Sequence, residues 1–454
     1  MKTHEFKGIL TAEGWKENVQ IKTDESGVIQ SIENLAHKQE MDQYALPGFQ
    51  NAHSHAFQYA MAGLAELHST SRAQNDFWSW RNAMYDLALS INPEQLEKIA
   101  ALLYKEMLRN GYTHVVEFHY LHHDIKGGNY NNLSETGERL IAAAKKTGIK
   151  ITLIPIFYQM GGFNKPPEEK QRRFICSNIE SYLSLYDSSS KSCKLYSNAN
   201  VGLGIHSMRG VKTQDIIKTS EFRNQSIPFH IHISEQLKEI EDCVSFLGKR
   251  PVEWLADHVD LNEHYHLVHA THINQKEIKQ LAASKANVVI CPTTEGNLGD
   301  GIFPLKDFLK LNGNWSIGTD SHVSLNPFEE IRLLDYGQRL ISHQRNTFGN
   351  SFSGDNATIA INTAFKNGKK STGEHQLCGF EVGKPLDALV ISNKHPLIQQ
   401  TSTKNLANTI LYSADPSFYK GTIVNGKWVI KNGEHTNESI DKEFSATIKE
   451  LGNR

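Results

Sequence analysis

Short apolar runs alternate with amphipathic stretches through the middle of this chain. Strand-like runs lie at 46–52, 113–120, 149–158, 199–206, 227–233, 265–270, 287–291 and 315–320. Their length and their Val, Ile and aromatic content suit strands buried on both faces. Most are separated by segments whose apolar residues recur at three- and four-residue spacing, the helix period. One such segment opens at Asn92-Pro93, with Asn as cap and Pro at the first helical position, and stops at Gly111. Others span roughly 134–147, 168–186, 213–224, 236–247, 275–285 and 327–343. Asn274 followed by Glu277 has the capping-box pattern. Eight strands alternating with helices predict an α/β fold, a (β/α)8 TIM-type barrel. The serine run Ser188 to Ser190 is expected in an exposed loop.

Both ends of the chain read differently. Residues 1–45 hold two period-2 runs with the TDESG hairpin signal between them. GKPLDALVIS (383–392) and GTIVNGKWVIKNGEH (421–435) are similar, and Asn425-Gly426 between apolar runs is a strong hairpin signal. We therefore expect residues 1–45 and 376–454 to build one small flanking β-sandwich domain, with the barrel at 46–375.

Composition narrows the class. The 454 residues exceed one ordinary domain but suit a barrel of about 250 residues or more with an added domain. The formal charge of -2 and the absence of basic runs argue against nucleic acid as a partner. Five widely spaced cysteines without a C-x-x-C pair point to free thiols and a reducing compartment. The N-terminal MKTHEFKGIL lacks a signal-peptide core, and no apolar run reaches the ~18 residues of a membrane span. A cytoplasmic protein without a membrane partner is expected.

Histidine changes the picture most. In a (β/α)8 barrel the active site lies where the strands end, and here those ends are polar. The first run ends at His53 and His55, whose i, i+2 spacing puts both imidazoles on one side of an extended backbone. The second ends at His119 and Tyr120, and the fourth at His206 with Arg209 beyond it. The fifth carries His230, His232 and Glu235, the sixth His269 and His272, and the eighth Asp320 and His322. Polar groups converging on one rim are costly unless paired, hydrated or metal-bound. Imidazoles and carboxylates in such a cluster suit a transition-metal ion. By strand parity His230 rivals His232, while His272 and His322 rival His269 and Asp320.

His53-x-His55, His232-Ile-Ser-Glu235, the strand-six His269 and Thr319-Asp320 resemble the amidohydrolase superfamily, and within it the mononuclear-metal deaminases. NAHSHAFQYAMAGL, DFWSWRNAMY, EFHYLHH, QRRFI, HIHISEQ, RPVEWL, LVHATH, CPTTEGNLGDGIFP and GTDSHVS are similar to the formimidoylglutamate deiminase family, across residues 46 to 346. The resemblance implies one divalent metal ion per subunit held by His53, His55, His232 and Asp320. Zn2+ is the first candidate, and Fe2+ or Mn2+ also accept this set. It implies hydrolytic deimination of N-formimino-L-glutamate in histidine degradation, hydroxide attacking the formimino carbon. Glu235, His269 and Asp320 are then the catalytic residues that handle protons. Arg209 and Arg81 bind the carboxylates of the small-molecule substrate, with Gln58, Tyr120 and His206 beside them. A homodimer is also implied. Trp78, Trp80, Arg172 and Arg173 lie in the shared stretches without an assigned role.

Three other readings compete with this one. A deaminase of a purine or pyrimidine ring would share the metal set but leave the arginines without a counterpart. A non-catalytic scaffold should have lost ligands, yet all four stand. A two-metal hydrolase usually needs a lysine near strand four, and none lies between Asn198 and Gly210.

Overall fold

The computed structural model describes all residues except 37–40, 67–76, 223–225, 350–354, 377–378 and 453–454, and the side chains of 65 and 77–79. Eight parallel strands form a nearly closed barrel. They are β1 (Phe49–Ser54), β2 (Tyr112–His119), β3 (Lys150–Phe157), β4 (Leu203–Ser207), β5 (Phe229–Ile233), β6 (Tyr265–His269), β7 (Asn287–Ile290) and β8 (Asn314–Ile317). Each pairs in parallel with the next. The seam between β8 and β1 is closed just past the strand ends. Asn51 donates its amide to Thr319 Oγ1 at 2.6 Å, and the Asp320 N–H donates to the His53 carbonyl at 3.0 Å.

Both chain ends meet in a second, eight-stranded sheet. Its order is Glu434–His435, Lys427–Lys431, Tyr419–Val424, Ala388–Ser392, Gln43–Pro47, Lys2–Thr11, Gly14–Thr23 and Ile29–Asn34. All neighbours are antiparallel except Lys2–Thr11 beside Gln43–Pro47. It has its own apolar cluster, including Phe6, Ile9, Val19, Leu386 and Ile423. Asn425 and Gly426 both take positive φ, 46° and 64°, the requirement of the type I′ turn that this hairpin signal predicts. The chain crosses from this sheet to the barrel at Gly48, so the apolar run at 46–52 is shared between two strands. A Cβ there would sit 2.4 Å from Thr113 Cγ2.

Two expectations fail in detail. The predicted helix over 168–186 is instead helix Ile179–Cys193, capped by Asn178. The serines at 188–190 lie inside it rather than in a loop, with Ser189 buried on the same face as Tyr182, Leu185 and Tyr186. Ahead of the helix, Arg173 is fully buried. Its guanidinium donates to the carbonyls of His123 (2.9 Å), Ile91 (2.7 Å) and Ala88, which holds residues 172–178 away from helical geometry. Arg172 donates to the Ile125 carbonyl at 2.7 Å. Both arginines are thus loop clamps. The tail adds helix Ser439–Leu451, which docks on helix Pro93–Arg109 through Lys105 and Asp441 at 2.6 Å. Among the described residues no helix is long and apolar enough to cross a membrane. Cys176, Cys193, Cys243 and Cys291 are free and buried, and Cys378 lies outside the described residues.

Candidate metal centre and cleft

The barrel twist and the period-2 alternation of β1 bring His53 and His55 to the same face of the barrel mouth. His53 is 0 % exposed and His55 3 %. Gly318, beyond β8, lets His53 sit there: a Cβ on it would stand 2.8 Å from His53 Cβ. Backbone strain gathers at the same rim. Ser234, His269, Ala270, Asp320 and His322 all take φ between 47° and 70°. Left-handed geometry costs about 1–2 kcal/mol per non-glycine residue, so packing must hold these turns in place.

Four ligand atoms converge. His53 Nε2 lies 3.1 Å from His55 Nε2 and 3.0 Å from His232 Nε2. Asp320 Oδ1 lies 3.2 Å from His55 Nε2 and 3.5 Å from His53 Nε2. The His55 Nδ1–H donates to the Phe118 carbonyl and the His232 Nδ1–H to the His206 carbonyl, each at 2.9 Å. A carbonyl only accepts, so Nδ1 carries the proton and Nε2 turns its lone pair inward. Burial keeps all three rings neutral; it holds His53 down to about 3, with His55 adding to the effect, and lowers His55 and His232 as well. His53 Nε2 can donate to at most one of these two inward lone pairs, so the three nitrogens at 3.0–3.1 Å are best satisfied by a cation between them. A tetrahedral ion with bonds of 2.0–2.1 Å separates its ligands by about 3.3 Å. The observed spacings therefore fit a divalent metal ion. Burial opposes charge on Asp320, yet His53 and His55 outweigh it and keep the carboxyl ionised. His269, Cys291 and Asp320 form a second close group. Burial raises the Cys291 thiol well above its usual value.

Beside the donors stands a proton-handling group. His269 Nε2 is 3.7 Å from both Glu235 Oε1 and Asp320 Oδ2. Burial raises the Glu235 carboxyl, and for His269 the nearby Glu235, Glu295 and Asp320 carboxylates outweigh burial and favour the charged ring.

Of the eleven residues singled out from the sequence, ten line one cleft. They are His55, Gln58, Arg81, Tyr120, His206, Arg209, His232, Glu235, His269 and Asp320. His53 lies beneath it, fully buried. Trp80, Met84, Tyr85, Tyr158, Phe174 and Leu298 complete the wall. The Trp78 side chain lies outside the described residues. Gln58 Nε2 donates to Tyr120 Oη at 3.0 Å, and His206 stacks on Tyr158 with ring centroids 4.0 Å apart. Arg81 Nε donates to Tyr85 Oη at 2.6 Å, and Arg209 Nη1 stands 3.8 Å from Glu239 Oε2.

The rival histidines turn elsewhere. His230 lies deeper and bonds the Ser371 carbonyl at 3.0 Å. His322 faces Thr319 Oγ1 at 2.8 Å, His119 faces Thr136 Oγ1 at 3.0 Å, and His272 is only half-buried. Three acids escaped the sequence reading. Glu117 accepts from Ser54 Oγ (2.8 Å), the Ala56 N–H (2.6 Å) and Tyr104 Oη (3.0 Å), bracing the turn around His55. Glu239 accepts the Glu235 N–H at 3.2 Å, and Glu295 faces His269. Only Glu117 left a local signal, an acid inside an apolar strand.

The sequence model of the amidohydrolase family matches residues 44–429. A formimidoylglutamate deiminase from Pseudomonas aeruginosa is 38 % identical over 447 residues, covering 98 % of this chain and 97 % of that protein. The crystal structure of an amidohydrolase from Brucella melitensis superposes with a TM-score of 0.92 at 36 % identity, covering 99 % of this chain and 100 % of that one. An adenosine deaminase from Xanthomonas campestris with bound zinc shares the fold, with a TM-score of 0.80 at 19 % identity and coverage of 100 % and 98 %.

Proposed function

This chain belongs to the amidohydrolase family and is a homologue of formimidoylglutamate deiminase, and from that premise we propose how its cleft works. It is a metal-dependent hydrolase that converts N-formimino-L-glutamate and water to N-formyl-L-glutamate and ammonia. The observation that carries the reading is the polarity of the cleft: inward-facing nitrogens and a carboxylate at one side, Arg81 and Arg209 at another.

His53, His55, His232 and Asp320 would hold the ion, which supplies Lewis acidity and lowers the pKa of a water towards ~7. Arg209 and Arg81 bind the two carboxylates of the substrate, where guanidinium forks suit carboxylate geometry. Tyr120, Gln58 and His206 fix its orientation. Asp320 takes a proton from the attacking water through Oδ2, the oxygen nearer His269. His269 donates a hydrogen bond to the developing tetrahedral centre. Glu235, whose carboxyl burial raises, delivers a proton to the departing nitrogen. As the carbon–nitrogen bond breaks, the proton held by Asp320 passes to the same nitrogen, the hydroxyl proton returns to Glu235 to leave the formyl carbonyl, and ammonia departs. General acid–base assistance of this kind is worth ~10²–10⁴-fold. The same reading takes zinc as the ion and a cytoplasmic homodimer of histidine degradation as the working form.

The test is ammonia release by purified protein from N-formimino-L-glutamate, guanine and cytosine, with and without a chelator. Chelator-sensitive release from the glutamate derivative alone is expected. Release from a ring substrate instead would discard the carboxylate-binding role of the arginines.

A further inference from the structure

The CPTTEGNLGDGIFP stretch takes no part in the reaction as read above, yet it reaches the proton-handling group directly. It leaves β7 and forms a short helix, Pro292–Leu298, beneath His269. Glu295 on that helix is 4 % exposed, and its Oε1 accepts the Cys291 N–H at 2.9 Å. The same oxygen lies 3.2 Å from His269 Nδ1. An oxygen already accepting one N–H meets the ring as a second acceptor, so Nδ1 is the donor and keeps its proton.

The helix itself is bolted down. Thr293 Oγ1 donates to Glu330 at 2.5 Å, and Thr294 Oγ1 donates to the Thr319 carbonyl at 3.1 Å, one residue before Asp320. The end of the stretch also grips the other acid. The Asp300 N–H donates to the Glu295 carbonyl at 2.9 Å, while Gln236, next to Glu235, donates its amide to Asp300 Oδ1.

We propose that Glu295 is a positioning residue: it accepts the Nδ1–H of His269 and so aims Nε2 at the gap between Glu235 and Asp320. The proposal rests on the reading of His269 as a group that meets the reacting centre. Carboxylate partners that orient a functional histidine typically matter by ~10–100-fold when removed.

The experiment compares zinc-loaded wild type, Glu295→Ala and Glu295→Gln, with ¹⁵N-labelled histidine. The glutamine oxygen can still accept both N–H groups. We expect Glu295→Ala to lower kcat by ~10–100-fold with KM and bound zinc unchanged. Glu295→Gln should recover most of the loss. The nitrogen spectrum of His269, assigned with His269→Gln, should show one Nδ1–H pattern in wild type and Glu295→Gln and a mixture in Glu295→Ala. Wild-type kcat in Glu295→Ala would overturn the proposal, as would a neutral Nε2–H ring in wild type, which stays readable even if a variant fails to fold. Wild type that releases no ammonia from N-formimino-L-glutamate would instead sink the functional reading, and the ring spectrum would still judge Glu295.

Discussion

Asp320 is tied to His55 twice. The His55 N–H donates to the Asp320 carbonyl at 3.3 Å, and Asp320 Oδ1 lies 3.2 Å from His55 Nε2. The first bond is backbone and survives a change of side chain. Asn also tolerates the left-handed φ of 47° found there. In metal-free protein Asp320→Asn should therefore match the wild-type melting temperature, and with zinc added it should lose ~10²–10⁴-fold in kcat. A collapse of the fold in parallel with activity would show that the carboxylate is chiefly structural.

Removal of the metal should destabilise as well as inactivate. His55 and His232 then turn their inward lone pairs on His53 Nε2, 3.1 and 3.0 Å away. Ligand that binds only the native state at 100 times its Kd adds about 2.7 kcal/mol. Dialysis against a chelator should abolish ammonia release and lower Tm, and added zinc should restore both. Full activity in metal-free protein would remove the basis of the centre.

Arg209 separates two substrate classes. A charge-assisted hydrogen bond is worth about 1.5–3 kcal/mol, or roughly 10–150-fold in binding. Arg209→Gln should raise KM for N-formimino-L-glutamate by that order. The change also leaves Glu239 without the guanidinium at 3.8 Å, so Tm must be followed beside KM. An unaltered KM would argue that no substrate carboxylate sits there.

Barrel and outer sheet are coupled by a buried ion pair, Lys150 Nζ to Asp387 Oδ2 at 2.5 Å, each side chain 5 % exposed. Loss of one partner strands the other. Asp387→Ala should cost about 3–5 kcal/mol in urea unfolding, and a loss below about 1 kcal/mol would mean that water replaces the pair.

Glu374 makes the fold acid-sensitive. Burial raises its carboxyl, but Lys369, His114 and Lys150 outweigh that and hold it down to about 2, from an ordinary 4.5. The folded value lies below the unfolded one. Its contribution is therefore complete above pH 4.5 and is lost as pH falls from there towards 2. The side chain is 38 % exposed, so water moderates the effect. Glu374→Gln should flatten the acid limb of a Tm-against-pH curve, and an unchanged slope would exclude this group.

Much of the barrel was legible because buried parallel strands are short apolar runs between turns. The runs at 113–120, 149–158 and 265–270 lie within a residue or so of β2, β3 and β6. The helix over 168–186 was misread because residues 172–178 within it belong to a clamp made by Arg173 on carbonyls 50 to 85 residues away. Glu239 escaped notice because an acid near the start of a helix looks like any capping residue.

The sequence by itself determined the alternation of strands and helices in the barrel and the kinds of side chain at each strand end. Local periodicity and turn chemistry suffice for that. Only the tertiary structure decided which of those side chains meet. The seam that brings Asp320 to His53 is held by Asn51 and Thr319, 268 residues apart. The direction of two of the three imidazoles is set by a carbonyl on a neighbouring strand, Phe118 for His55 and His206 for His232. Such choices follow from barrel closure and from hydrogen bonds across it, which no window of neighbouring residues contains.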